Sequence, residues 1–210
     1  MMTRILLTGF EPFDGKSTNS SWVAASALMA ELDDPEVCAL ELPVVWASPK
    51  ARLLDAIKSN SPQLILSMGE GKAGFFKLES LARNARKIRP DNTNALPATE
   101  LIDAAGPEQI TSSAKLQPIL ALLLEKGVPA EISSDAGGFL CEETLYSLER
   151  FCVHEQGVEA VLFVHLPPFG TELNFKNQKC LCNTDLLLEF GLDLFAIVMG
   201  LHEKKLLGNL

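Results

Sequence analysis

The chain is short of everything that would carry it to nucleic acid, into a membrane or out of the cell. Its 210 residues hold 18 lysines and arginines against 27 acidic residues, a net charge of −9. It contains no Lys/Arg-rich run and no aromatic platform among basic residues. An acidic surface repels phosphate backbones, so nucleic acid is not an expected partner. No apolar stretch reaches membrane-spanning length, even in the strongly apolar "LDLFAIVMGL". The opening "MMTRILLTG" has a short apolar run that ends in a turn, unlike a secretory signal. The cysteines, Cys38, Cys141, Cys152, Cys180 and Cys182, are odd in number. Without a signal they read as reduced thiols of a cytoplasmic protein, not as a disulfide framework. Cys180-Leu-Cys182 has the look of half a metal site. The three histidines, His154, His165 and His202, show no ligand spacing with it. No metal or organic cofactor is expected. Linkers and internal repeats are also missing, so residues 1–210 are expected to form one domain.

What is present is alternation. "RILLTGF", "QLILSMG" and "EAVLFVHLPP" read as buried strands, "VCALELPVV" alternates like a strand, and "AEISS" is a shorter one. Between them lie helical patterns. Asn19 or Ser20 caps a helix that runs to Asp34, with Trp22, Ala25, Leu28 and Leu32 on one face. Ser48-Pro49 reads as a cap followed by proline at the first helical position, and Pro118 opens "PILALLLEK", which stops at Gly127. "CEETLYSLERFCVHEQG" and "NTDLLLEFGLDLFAIVMGLHEKK" read as helices. Strands alternating with helices predict an α/β fold: three layers, with helices on both faces of a largely parallel, twisted, mixed sheet. The region from Gly69 to Gly106 fits neither pattern. It reads as a long loop system or an antiparallel excursion.

Ligands of such folds bind beyond the carboxyl ends of the strands. There the sequence places "GFEPFDG", "GEGKAG", "DAGGFLC" and His165. Cys141 follows a glycine turn and opens a helix. Unpaired N–H groups and the helix dipole at that position favour a thiolate. Glu142 and Glu143 suit a first helical turn, though their charges oppose the thiolate. A buried cysteine packing as a small hydrophobe is the alternative. His165 lies twenty-four residues on, across one helix and one strand. A right-handed crossover between parallel strands would return it to the same edge, where a Cys–His pair can form. A rival motif, Gly69-Glu-Gly71-Lys-Ala-Gly74, fits a dinucleotide loop but needs a helix at its third glycine, and none is legible.

"LLTGFEPFDG" with Asn19, "LPVVW", "SMGEGKAG", "LESLARNA", "RPDN", "AEISSDAGGFLC" and "LFVHLP", in this order, resemble the pyroglutamyl peptidase I family over residues 3 to about 168. These are cytosolic cysteine peptidases that remove N-terminal pyroglutamate. The resemblance implies a Cys–His–Glu triad of Cys141, His165 and Glu79. It further implies Arg89 as an active-site arginine, an aromatic pocket from Phe10, Phe13 and Phe139, and a place for Gly69 and Gly71 in the substrate-binding set. Homo-oligomers, dimers or tetramers, are implied as well. Read without the resemblance, Glu79 is a surface carboxylate, and Phe10 and Phe13 are core aromatics. Glu142 stands where the family usually has asparagine, and "AGFF" where it has Ala-Gly-Gly-Arg. A thiol amidase for another small N-terminal group, or a weakly catalytic relative that binds pyroglutamyl ligands, are the alternative readings.

Overall fold

The apolar runs become a six-stranded sheet in the order β2 (Val37–Leu42), β1 (Ile5–Phe10), β3 (Leu64–Glu70), β8 (Ala160–Leu166), β4 (Phe76–Glu79), β7 (Ala130–Ser133). The computed structural model describes residues 3–153, 157–205 and 207. Strands β1, β2, β3 and β8 are mutually parallel. β1, β3 and β8 are buried at every position, which is what continuous apolar strands covered on both faces require. β4 and β7 pair in parallel with each other, while β4 runs antiparallel to β8. β5 (Leu81–Arg83) and β6 (Gln109–Thr111) form one small ribbon, and β9 (Glu172–Phe175) and β10 (Gln178–Leu181) another.

Helices cover both faces. α1 (Ser20–Leu32), α3 (Leu116–Glu125) and α5 (Thr184–Glu203) bury Leu28, Ile119 and Leu194 in one core with Leu66, Val164 and Phe76. α2 (Ser48–Asn60) and α4 (Leu140–Ser147) bury Leu53 and Leu145 in the other, with Leu6, Ile65 and Phe163. The mixed three-layer α/β/α fold is as expected. Asn19 caps α1, its side chain accepting from Ser21 N at 3.0 Å, and Asn183 caps α5, accepting from Leu186 N at 2.9 Å. α2 is capped one residue earlier than expected, by Ala47 in the left-handed region, which leaves Ser48 inside the helix. α3 starts at Leu116, with Pro118 in its first turn, where a missing N–H costs nothing. Among the described residues, no helix is long and apolar enough to cross a membrane.

The stretch after Gly69 is both a loop system and an antiparallel excursion, the two readings that the sequence offered: β4 inserts into the main sheet beside β8. Consequently β7 and β8 are not parallel neighbours, and the simple crossover expected between Cys141 and His165 is absent. The helix expected through Gly157 also changes character. After α4 the chain continues as a π-helical turn over Leu148–Val153, and residues 154–156, including His154, lie outside the described residues.

That π turn buries Glu149 to 1% exposure, its carboxylate accepting from Ser113 N at 3.0 Å. Burial disfavours the charged form and outweighs the hydrogen bonds from Ser113 and Ser112, so its pKa rises to about 7. A carboxyl that binds its proton more tightly when folded stabilises the protein fully below its unfolded value, near 4.5. That stability is lost as the pH rises through 7. Glu149→Gln keeps an acceptor for Ser113 and removes the titration. Melting curves from pH 4.5 to 8 should show the wild type losing several degrees relative to Glu149→Gln toward alkaline pH. Parallel curves would show that folding leaves the Glu149 carboxyl unshifted.

Candidate active site

The central strands set the base and its partner. His165 on β8 lies level with Gly69 of β3 on one side and Lys77 of β4 on the other. Side chains two apart on a strand share a face, so Glu79 sits diagonally across from His165. Its Oε1 meets His165 Nδ1 at 2.7 Å. Far from lying at the surface, Glu79 is fully buried. The local sequence hides this because a four-residue strand carries little periodicity.

Cys141 arrives from the other direction. Gly137 and Gly138, both at positive φ (94° and 74°), turn the chain after β7 so that α4 begins above the sheet. Phe139 occupies the N-cap and has no side-chain oxygen to offer. Glu142 instead ties the start of the helix to the segments beside it: its carboxylate accepts from Gly138 N at 3.2 Å and from Arg83 N at 2.6 Å. Glu143 accepts from Ala47 N at 2.9 Å and pairs with Arg86. Both carboxylates therefore brace α4 against its neighbours. Burial raises the Glu142 pKa against the lowering influence of its hydrogen bonds.

The Cys141 sulfur and the His165 ring converge over Gly69, where a Cβ would stand 2.7 Å from Sγ and 3.2 Å from His165 Cδ2. Burial, the largest influence on His165, disfavours the imidazolium. The charge and hydrogen bond of the Cys141 sulfur, and then those of Glu79, outweigh it and raise the His165 pKa well above the ordinary histidine range. Since Nδ1 is taken by Glu79, Nε2 is the nitrogen left for the thiol.

The glycines of "GEGKAG" make room for this arrangement. A Cβ on Gly69 would stand 2.7 Å from Cys141 Sγ, and one on Gly71 would stand 2.8 Å from His165 Cβ. The segment continues into β4, not a helix, so it lacks the dipole a dinucleotide loop needs. Cys180 and Cys182 lie on and just after β10, half-buried and buried respectively.

A cavity of about 430 Å³ opens over the pair, with Phe10, Phe13, Phe139 and Arg89 in its walls. Phe10 is a core aromatic that also reaches the cavity, whereas Phe13 is half-buried. The Arg89 guanidinium lies 4.3 Å from the Phe139 ring centre and 5.7 Å from that of Phe13, and pairs with Asp14. Trp46 holds it from behind, donating to Arg89 O at 2.9 Å and meeting Phe139 edge-on at 5.1 Å. Asp91 fixes the same loop by accepting from Trp46, Thr93 and Ala95 backbone N–H groups. Asn19 joins the opposite wall, donating to Glu11 O at 3.0 Å while capping α1. Lys72, Lys77, Lys87 and Asp135 also line the cavity. Lys72 and Asp135 fall in segments that the sequence already sets at this edge, whereas Lys77 and Lys87 were not legible there, because isolated lysines read only as solvated surface.

A thiol against an imidazole, itself held by a buried carboxylate at the mouth of a cavity walled in part by aromatics, is the working arrangement of a thiol hydrolase. The family model for pyroglutamyl peptidase matches residues 3–187, and the chain belongs to this family of cysteine peptidases. It is 36% identical over 167 residues to the pyrrolidone-carboxylate peptidase of Gloeobacter violaceus, covering 78% of this chain and 81% of that one. With the enzyme of the same name from Bacillus licheniformis it shares 31% over 213 residues, covering 98% and 96%. The crystal structure of pyroglutamyl peptidase I from Bacillus amyloliquefaciens superposes with a TM-score of 0.80 at 26% identity, covering 93% of this chain and 96% of that one.

Proposed function

We propose that the chain removes N-terminal pyroglutamate from peptides, with Cys141 as nucleophile, His165 as base and Glu79 as the group that orients it. The observation that carries this reading is the buried imidazole held by Glu79 at 2.7 Å, with the Cys141 sulfur and the Cδ2 edge of the ring converging over Gly69. In the first step the thiolate attacks the pyroglutamyl carbonyl carbon and an S–C bond forms. N–H groups of the first turn of α4, which have no intrahelical partners, receive the developing oxyanion. The C–N bond breaks as His165 gives its proton to the leaving amine. His165 then takes a proton from water, whose oxygen attacks the thioester, and pyroglutamate leaves as the S–C bond breaks. Glu79 fixes the tautomer and stabilises the charged ring. Pyroglutamate is a neutral lactam, which suits walls of Phe10, Phe13 and Phe139 with Arg89 stacked across the last two. A reduced nucleophile fits the cytoplasm, and assembly as a homo-oligomer belongs to the same reading.

The test is hydrolysis of a pyroglutamyl anilide with and without iodoacetamide, the labelled thiols being read by peptide mass spectrometry across a pH series. Cys141 should label first, with activity lost in step. Burial raises the Cys38 thiol, and it pushes Cys182 up to about 11, so both should lag. Uniform labelling of all cysteines near the free-thiol range would make Cys141 an ordinary core residue.

A further inference from the structure

We propose that Lys72 and Lys87 make this cavity select substrates whose leaving portion carries a carboxylate close to the scissile bond. The inference rests on the pyroglutamyl reading and adds to it a charge preference on the leaving side.

The chain carries a net charge of −9, yet the cavity lining holds Lys72, Lys77, Lys87 and Arg89. Most of the charge there is already paired. Arg89 is engaged by Asp14, Lys77 by Glu131 at 2.7 Å, and Glu70 by Lys16. Asp135 faces the same mouth, but it accepts from Gly137 N at 3.1 Å and meets Arg83 at 3.4 Å. Glu79 is held by His165. Among the described residues, Lys72 and Lys87 form no ion pair.

Both residues line the cavity that holds the reacting pair. The Lys87 stem lies across Gly138, so that a Cβ there would meet its Cγ at 2.7 Å, and Lys87 N donates to Gly138 O at 2.7 Å. That anchors Lys87 to the turn just before Cys141. Lys72 follows Gly71, whose backbone packs on His165. The apolar walls bind the pyroglutamyl ring, which leaves the two ammoniums for the departing side. Two unpaired positive charges at the rim of a cleft draw an incoming anion toward it, an attraction that salt screens. The matching chemistry is a carboxylate. It has two sources: the free terminus of a pyroglutamyl dipeptide, or the side chain of an acidic residue directly after pyroglutamate.

Two substrate pairs separate the sources: pyroglutamyl-alanine against its amide, and pyroglutamyl-glutamate amide against pyroglutamyl-glutamine amide. The anionic member of at least one pair should show a kcat/KM about three- to tenfold higher at low salt, with the gap closing at high ionic strength. Lys72→Gln with Lys87→Gln, which keeps the stem over Gly138, should shrink the ratio within the pair. Lys72→Glu with Lys87→Glu should invert it. Equal rates within both pairs, or a preference that neither salt nor the substitutions alter, would overturn the proposal and leave pyroglutamyl hydrolysis standing. No hydrolysis of any of the four substrates would overturn both.

Discussion

Cys141→Ala should abolish pyroglutamyl hydrolysis, lowering kcat by on the order of 10⁴-fold or more, since removing a nucleophile removes the covalent route itself. The substitution is structurally mild. Cys141 is only half-buried, and α4 is held in place by Glu142 on Arg83 and Gly138 and by Glu143 on Ala47 and Arg86. The variant should therefore melt close to the wild type, which separates lost chemistry from lost fold. Cys141→Ser should be nearly as inactive, because a hydroxyl next to the same imidazole ionises far less readily than a thiol. Anilide hydrolysis with a thermal melt on each variant decides the matter. Substantial turnover in folded Cys141→Ala would end the nucleophile assignment.

His165→Ala should lose nearly as much, because it removes both the partner of the thiolate and the proton donor to the leaving amine. Glu79→Gln should keep part of the activity, since an amide oxygen can still accept from Nδ1. The two variants should differ in pH profile as well as in rate. Glu79 is one of the influences that raise His165, after the Cys141 sulfur. Without its charge the imidazolium gives up its proton at lower pH, so the alkaline limb of kcat/KM should move toward neutrality in Glu79→Gln. An unmoved limb would mean that Glu79 does not act through the histidine. A folded Glu79→Gln as inert as Cys141→Ala would give the carboxylate a more direct part in the reaction. Glu79 Oε2 is buried without a hydrogen-bond partner among the described residues, so a melting curve must accompany the rates.

The features legible in the residues are those that local chemistry dictates. Strands β1, β3 and β8 announce themselves because a strand buried on both faces must be apolar throughout. Asn19 and Asn183 declare the starts of α1 and α5 because the first N–H groups of a helix need an outside acceptor. The glycine turn before Cys141 reads as a turn because only glycine takes positive φ without strain at Gly137 and Gly138. From these signals the α/β class and the Cys141 and His165 candidates follow. Glu79 as their partner, by contrast, entered only through family resemblance.

Strand order and direction were decided elsewhere. Nothing within "FKLE" says that β4 will slot antiparallel beside β8, because backbone pairing is blind to side-chain identity and is settled by which long-range contacts close the core. That one insertion carries Glu79 from an apparent surface position to full burial beside His165, and turns Gly69 and Gly71 from a possible phosphate loop into the space the thiol and imidazole occupy. It also sets Lys72 and Lys87 on the rim of the same cavity. Composition and caps determined which elements form and which side chains are chemically capable. Only the tertiary structure determined which of those side chains meet, because a hydrogen bond spanning 86 residues, like that from His165 to Glu79, depends on the path of the whole sheet between them.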